Sequence, residues 1–237
     1  STSSPVTVDI GTGRTAVAVA AGHYHTCAIL DNASLYCWGS NAAGKLGDGT
    51  TTSSSTPVNV DLGLGRYAVA ISAGNYHTCA ILDNGSLKCW GNNAYGNLGD
   101  GSTSETSTPV SVDLGTGRTA IAISLGNTHS CAILDDNSLK CWGYGRNGEL
   151  GRGSSDDFSD SWTPVLVSLP SSRTAVAVSA GSHHTCAILD NLSVQCWGDN
   201  RDGQLGIGFF GSGTDTEETT PVYVNLSGNL AAVSERD

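Results

Sequence analysis

Two kinds of residue in the 237-residue chain could do chemistry, eight cysteines and a set of histidines, and both recur in register. The cysteines stand in pairs with nine residues between them: Cys27 and Cys37, Cys79 and Cys89, Cys131 and Cys141, Cys186 and Cys196. A histidine lies two residues before each first cysteine (His25, His77, His129, His184), and a Trp-Gly follows each second one. Paired thiols offer a structural disulfide, a zinc site or a redox couple. Zinc knuckles hold their cysteines about two to four residues apart, and oxidoreductase motifs about two. Nine residues of alternating character suit two antiparallel strands and a turn, across which a disulfide closes. Each such bridge is expected to contribute roughly 2–3 kcal/mol by restricting the unfolded chain. Four of them point to an oxidising compartment, so the expected location is secreted or at the cell surface.

The histidines invite a metal reading. One per unit sets them too far apart to share an ion whose bonds to nitrogen are about 2.0–2.1 Å long. Their expected role is a hydrogen bond to backbone between strands, with the additional His23 and His183 turned toward solvent. No metal and no cofactor is expected. Gly11-Thr12-Gly13-Arg14-Thr15 looks like a phosphate cradle but lacks the Gly-Lys-Ser/Thr ending and a following helix, and it returns at residues 115–119. It is a turn of the repeat. No Gly-x-Ser-x-Gly elbow is present, and the expectation is that the protein is not an enzyme.

These residues must be carried by a repeated unit. The first cysteines, at 27, 79, 131 and 186, are 52, 52 and 55 residues apart, a period that marks a repeat architecture. Units are expected at about 5–56, 57–108, 109–163 and 164–220, with a partial fifth at 221–237, all in one domain. Each opens with a proline (Pro5, Pro57, Pro109, Pro164, Pro221) and a short alternating segment such as Val58-Asn59-Val60-Asp61-Leu62. That pattern reads as an outer strand led by its proline. An apolar strand of small residues follows, as at residues 68–74, suited to the crowded inner position of a radial array. The cysteine hairpin gives two more strands, turning at Asp31-Asn32-Ala33 or Asp83-Asn84-Gly85. Four strands per unit make a propeller blade: an all-β fold of four-stranded blades, four complete and a fifth begun, in an incomplete propeller or open arc.

The carrying motifs Ala21-Gly22-x-x-His25-Thr26, Trp38-Gly39-x-Asn41 and Gly44-x-Leu46-Gly47, with their later counterparts, resemble the regulator of chromosome condensation repeat family over residues 5 to about 233. The resemblance implies a β-propeller used mostly as a protein-interaction platform. Such propellers usually close with about seven blades, more than are counted here, and intracellular members do not need the cysteine pairs. This chain therefore reads as a disulfide-containing extracellular variant.

Charge narrows the partners. Eleven Lys plus Arg against 22 Asp plus Glu give a formal charge of −11, which disfavours nucleic acid and electrostatic docking on an anionic membrane. No apolar run approaches the ~20 residues of a membrane helix, so no membrane insertion is expected. No charged-then-apolar leader opens the sequence, so any signal peptide is expected to be already removed or left out.

Four glycosylation sequons begin at Asn32, Asn84, Asn191 and Asn225, the first three at hairpin tips. The units differ most in two loops. Residues 152–162 include Phe158 and Trp162, and residues 207–218 include Phe209 and Phe210. Aromatic residues amid acidic ones on variable loops are candidate partner-binding anchors. The acidic residues Asp156, Asp157, Asp160, Glu217 and Glu218 lack the spaced pattern of a calcium loop. The expected function is a secreted, disulfide-stapled, non-catalytic interaction or structural module. Its partner is another protein or further copies of itself, in a surface assembly, fibre or adhesin. The alternatives are a protein inhibitor of an enzyme, as in the β-lactamase inhibitory propeller of this family, and a glycan-binding lectin with Trp162, Tyr95 or Tyr144 as sugar platforms.

Overall fold

The computed structural model describes residues 4–153, 159–209, 217–224 and 226; Phe158, Phe210 and Asn225 lie outside them. Sixteen strands form four antiparallel sheets, each of four strands consecutive in sequence. Blade 1 contains β1 (Ala16–Ala21), β2 (His25–Leu30), β3 (Leu35–Gly39) and β4 (Ser54–Asn59). Blade 2 contains β5 (Ala68–Ala73), β6 (His77–Leu82), β7 (Leu87–Gly91) and β8 (Thr106–Ser111). Blade 3 contains β9 (Ala120–Leu125), β10 (His129–Leu134), β11 (Leu139–Gly143) and β12 (Ser161–Leu166). Blade 4 contains β13 (Ala175–Ala180), β14 (His184–Leu189), β15 (Val194–Asp199) and β16 (Glu217–Tyr223). Apart from the strands, the described residues hold one short 3-10 turn, Ala42–Gly44.

The inner strands pack in series, β1 on β5, β5 on β9 and β9 on β13, and the blades form an arc that is not closed. The core is correspondingly divided into layers between blades. Cys27, Ile29, Leu35 and Cys37 of blade 1 pack with Ala80, Leu82 and Trp90 of blade 2, and the same layer recurs between blades 2 and 3 and between blades 3 and 4. Ile71 and Ile123 of the inner strands enter these layers, whereas Val69 and Ile121 point to the exposed side. Alternation along a strand thus places one row between blades and one row out.

The twice-Cys hairpin forms as read. Cys27 pairs opposite Cys37 in the β2–β3 ladder, and the other three pairs repeat the register. All four are disulfides, and no described cysteine is free. The third turn residue takes positive φ in every blade, at Ala33, Gly85, Asn137 and Leu192. Asn32 stabilises that geometry by accepting hydrogen bonds from the Ser34 amide at 3.2 Å and its hydroxyl at 2.6 Å. Asn84, Asp136 and Asn191 act alike. An arginine clasps the turn from before the inner strand: Arg14 on Asp31, Arg66 on Asp83, Arg118 on Asp135 and Arg173 on Asp190. These pairs are largely exposed, so each contributes only about 0–1 kcal/mol.

The proline segment differs from its reading in phase. The strand is Ser54–Asn59, not residues 58–62, and it is the outer strand of the blade before it. Pro57 lies inside a bulge: Val58 pairs with Cys37 and Ser54 with Gly39, so three residues face Trp38 alone. The bulge accommodates a residue with no amide proton within the edge strand. Val60 and Leu62, the remaining apolar residues of the segment, are buried in the layer against blade 2 after the strand ends.

Candidate interaction face

The residues after each Trp-Gly make a turn, and the junction with the next blade fixes its position. His25 Nε2 lies 2.8 Å from Thr78 Oγ1, and that hydroxyl donates to the Lys45 carbonyl at 2.8 Å. The hydroxyl proton is committed to the carbonyl, so the imidazole must be the donor to its oxygen, with the proton on Nε2. The same carbonyl accepts the Trp90 indole N–H at 3.0 Å. Blades 2 and 3 repeat this with His77, Ser130, Trp142 and the Asn97 carbonyl. Blades 3 and 4 repeat it with His129, Thr185, Trp197 and the Glu149 carbonyl. The histidines therefore bind a side chain of the next blade, where backbone had been expected. Burial lowers the pKa of His25 to about 4 and those of His77 and His129 to about 3, so all three are neutral at pH 7.

Glycines let the parts meet. A Cβ at Gly99 would come within 2.6 Å of the Trp142 Nε1, and one at Gly126 within 2.5 Å of the Gly181 carbonyl of the next blade. Both sit where a side chain would push blades apart.

The middle residue of each Gly-x-Leu-Gly turn is Lys45, Asn97, Glu149 or Gln204, and the first three are buried. Lys45 donates to the Ala42 carbonyl and Ser40 hydroxyl, and burial lowers its pKa. Asn97 donates to the Asn92 carbonyl. Glu149 accepts from the Asn147 backbone and side-chain amides and lies 3.4 Å from His183 Nδ1. The hydrogen bond to Glu149 raises the His183 pKa. His183 also meets Asn127 at 3.3 Å, and Asn127 accepts from Asn75 at 2.6 Å. His183 was expected to be turned to solvent, but it is half-buried in this polar row.

Beside the row lies an aromatic cluster. Tyr95 and Tyr144 meet edge to face with ring centres 5.0 Å apart, and Tyr144 lies 6.3 Å from the His183 ring. The Arg146 guanidinium stands 5.8 Å from each tyrosine ring and 2.9 Å from Asp160. Its place follows from a departure in the third unit. Asn41, Asn93 and Asn200 hold their turns with buried amides, as Asn41 does on Thr50 and Thr52, whereas the third unit has Gly145 there. Asp160, directly before β12 where the first unit has Ser53 before β4, accepts from the Gly145 amide as Ser53 does from the Asn41 amide, and its other oxygen holds Arg146. Burial raises the Tyr144 pKa.

Trp162 joins this face from β12: its backbone and ring lie against Gly96, the neighbour of Tyr95. It is 52% exposed. Phe209 is exposed in blade 4, where its carbonyl accepts from the Asn200 side-chain amide at 3.1 Å. Asn32, Asn84 and Asn191 are exposed at the hairpin tips, away from these contacts. Arg146 and Glu149 were missed as candidates; the only sequence signal was that their positions vary while the glycines around them do not. Among the described residues no three His, Cys, Asp or Glu side chains gather as a metal site, and no helix is long and apolar enough to cross a membrane.

Comparison with known proteins agrees with this architecture. The ultraviolet-B receptor UVR8 of Arabidopsis thaliana is 34% identical over 190 residues, which are 80% of this chain and 42% of that protein. Yeast RCC1 (Prp20), solved bound to Kap60, superposes with a TM-score of 0.76 at 22% identity, covering 90% of this chain and 50% of that one. The CRINKLY WD40 ectodomain of the Arabidopsis thaliana receptor kinase ACR4 superposes with a TM-score of 0.52 at 22% identity, covering 80% of this chain and 55% of that one. The chain thus spans about half the length of these proteins. The RCC1-like domain profile matches residues 1–235, and the chain belongs to the RCC1-like domain family.

Proposed function

We propose that this protein is a secreted, disulfide-stapled, non-catalytic module that binds another protein through the face of Tyr95, Tyr144, Arg146 and Trp162, within a larger surface assembly. The observation that carries the reading is the fixing of Arg146 by Asp160 beside two tyrosine rings. Trp, Tyr and Arg dominate binding energy at interfaces, and a side chain already held in place loses less freedom on binding. The four disulfides support an oxidising compartment. Two similar structures lend further support: yeast RCC1 was solved bound to the protein Kap60, and the ACR4 domain is an ectodomain.

The test is capture of a partner from the medium or surface fraction of the source cells, with wild type beside Arg146→Ala and Tyr144→Ala. A protein retained by wild type and lost on both variants, with all disulfides intact, is the expected result. Equal retention by all three overturns this face. An enzyme inhibitor is one form of the same reading and gives a tight one-to-one complex. A glycan reading rests on the exposed Trp162 ring as a stacking platform; there a free sugar, and not Arg146→Ala, abolishes binding.

A further inference from the structure

His183 stands where blades 3 and 4 meet, and both of its ring nitrogens are engaged. Nε2 lies 3.3 Å from Nδ2 of Asn127, and Nδ1 lies 3.4 Å from Oε1 of Glu149. An amide nitrogen only donates, so Nε2 must accept and the ring proton sits on Nδ1, aimed at the carboxylate. Asn127 in turn accepts with Oδ1 from Nδ2 of Asn75 at 2.6 Å. The row from Asn75 of blade 2 through Asn127 of blade 3 to His183 of blade 4 therefore has every N–H pointing toward Glu149. Its backbone is tied down: the Asn75 amide donates to the Gly126 carbonyl and the Asn127 amide to the Ser182 carbonyl. Glu149 is buried and held by both amides of Asn147. Rotation of the side-chain amides is the freedom left to the row.

A second proton on the ring, taken from water at Nε2, reverses that order. Nε2–H then faces the N–H of Asn127, two donors with no acceptor between them. Turning the Asn127 amide over gives its Oδ1 to the imidazolium. Its Nδ2 then meets Nδ2 of Asn75, and the same turn at Asn75 restores a donor and an acceptor. The surrounding charges favour the protonated ring. Glu149, from the turn after β11, and Asp199 of β15 act on it against Arg201, which is itself paired with Asp199 at 3.0 Å. His129 of β10 and His184 of β14 also bear on the ring, and burial lowers the pKa of both. Tyr144 stands 6.3 Å away, centre to centre. The balance raises the His183 pKa above 6.5, with the hydrogen bond to Glu149 as the largest cause. The other two junctions lack this pair: Lys45 and Asn97 stand in the place of Glu149, and Tyr76 and Thr128 in the place of His183.

We infer that His183 is a proton-operated relay: protonated at Nε2, it turns over the side-chain amides of Asn127 and Asn75 in the two preceding blades and sets a positive charge beside Tyr144. The relay makes the face of Tyr95, Tyr144 and Arg146 sensitive to pH, and in that respect it rests on the proposed function. The reversal itself is a property of the chain without any partner.

The test is an NMR titration of the non-reduced protein from about pH 8 to about pH 5, the range of histidine titration, for wild type, His183→Gln and Asn127→Ala. It follows the His183 ring, the side-chain amides of Asn75 and Asn127, and the Tyr144 ring. In wild type all four are expected to shift with one midpoint, above 6.5. The Asn93 side-chain amide, held by the Ser102 and Ser104 carbonyls, is expected to stay still. His183→Gln is expected to abolish the shifts at both amides and at Tyr144. In Asn127→Ala the His183 ring still titrates and Asn75 no longer follows it. Backbone amide dispersion and intact disulfides verify the fold, and the wild-type and His183→Gln titrations decide the matter should Asn127→Ala not fold. Amides that stay still while His183 titrates, amides that still move in His183→Gln, or an Asn75 that follows His183 without Asn127 would overturn the inference. The titration uses the free protein and partner capture does not, so loss of the relay and loss of the partner face are separate results.

Discussion

His77 of blade 2 reaches Ser130 of blade 3 at 2.8 Å, and Ser130 passes its own proton to the Asn97 carbonyl of blade 2 at 2.8 Å. A buried hydroxyl is thereby satisfied on both sides by the neighbouring blade. The Nδ1 of His77 is buried without a partner, so the hydroxyl is the one fixed hydrogen-bond partner of that ring.

Ser130→Ala removes the bridge and leaves a buried imidazole N–H unmatched. The expected loss is about 1–3 kcal/mol in urea unfolding, the range for an unsatisfied buried polar group. Ser138→Ala, at an exposed hairpin turn, is expected to cost about 0.5 kcal/mol or less. Equal losses at the two positions would show that the bridge adds nothing.

Acid should unfold the protein through the three buried histidines. Their folded pKa values of about 4, 3 and 3 lie below the ordinary 6.5, so the unfolded chain binds more protons between those limits. Stability is therefore complete above pH 6.5 and is lost as pH falls toward 4 and 3, by up to about 1.4 kcal/mol per pH unit for each histidine. His183 acts oppositely: its raised pKa stabilises below 6.5, and that contribution is lost as pH rises through the folded value. Urea midpoints at pH 7, 6 and 5 should fall in that order, and a flat series would refute the burial argument.

The four disulfides should not reduce together. Cys186 is partly exposed on the open face of blade 4, whereas Cys27, Cys79 and Cys131 and their partners are fully buried. Limited reductant followed by alkylation and peptide mass mapping is expected to label Cys186 and Cys196 first. Replacing Cys131 and Cys141 by alanine should cost roughly 2–3 kcal/mol.

Gly99→Ala and Gly206→Ala separate backbone strain from junction packing. Both glycines have positive φ, at 70° and 67°, so each substitution costs roughly 1 kcal/mol for the left-handed backbone. Only at Gly99 does the new methyl strike a tryptophan, and the larger loss, by more than about 1 kcal/mol, is expected there.

Glycans are expected to be accepted at Asn32, Asn84 and Asn191 when the chain is expressed through a eukaryotic secretory pathway. The turn uses the side-chain oxygen of each asparagine, and a glycan is attached to its nitrogen, so the two are compatible. A mass decrease on endoglycosidase treatment reads the outcome, and its absence would show that the tight turn excludes the transferase.

The hairpins and their disulfides were legible because every determinant lies within a dozen residues: alternation, turn chemistry and cysteine spacing. The histidine partners were not legible, since donor and hydroxyl are 53 or 56 residues apart and meet only through blade packing. The strand around Pro57 was displaced because a bulge lets the strand begin three residues before the proline. Trp162 was visible as an aromatic in a variable loop, but Arg146 was not, because its place depends on Asp160, 14 residues on, standing where the first unit has Ser53.

The junction has a consequence for how such a chain grows. Every unit encodes both a plug for the unit before it and a socket for the unit after it. A tandem duplication of one whole unit, about 52 residues long as the cysteine spacing sets it, therefore creates a matched joint at once, with no compensating substitution. A deletion of one whole unit heals in the same way. Blade number is then a quantity that recombination can change in single steps, while the face carried by any one blade drifts independently of its neighbours.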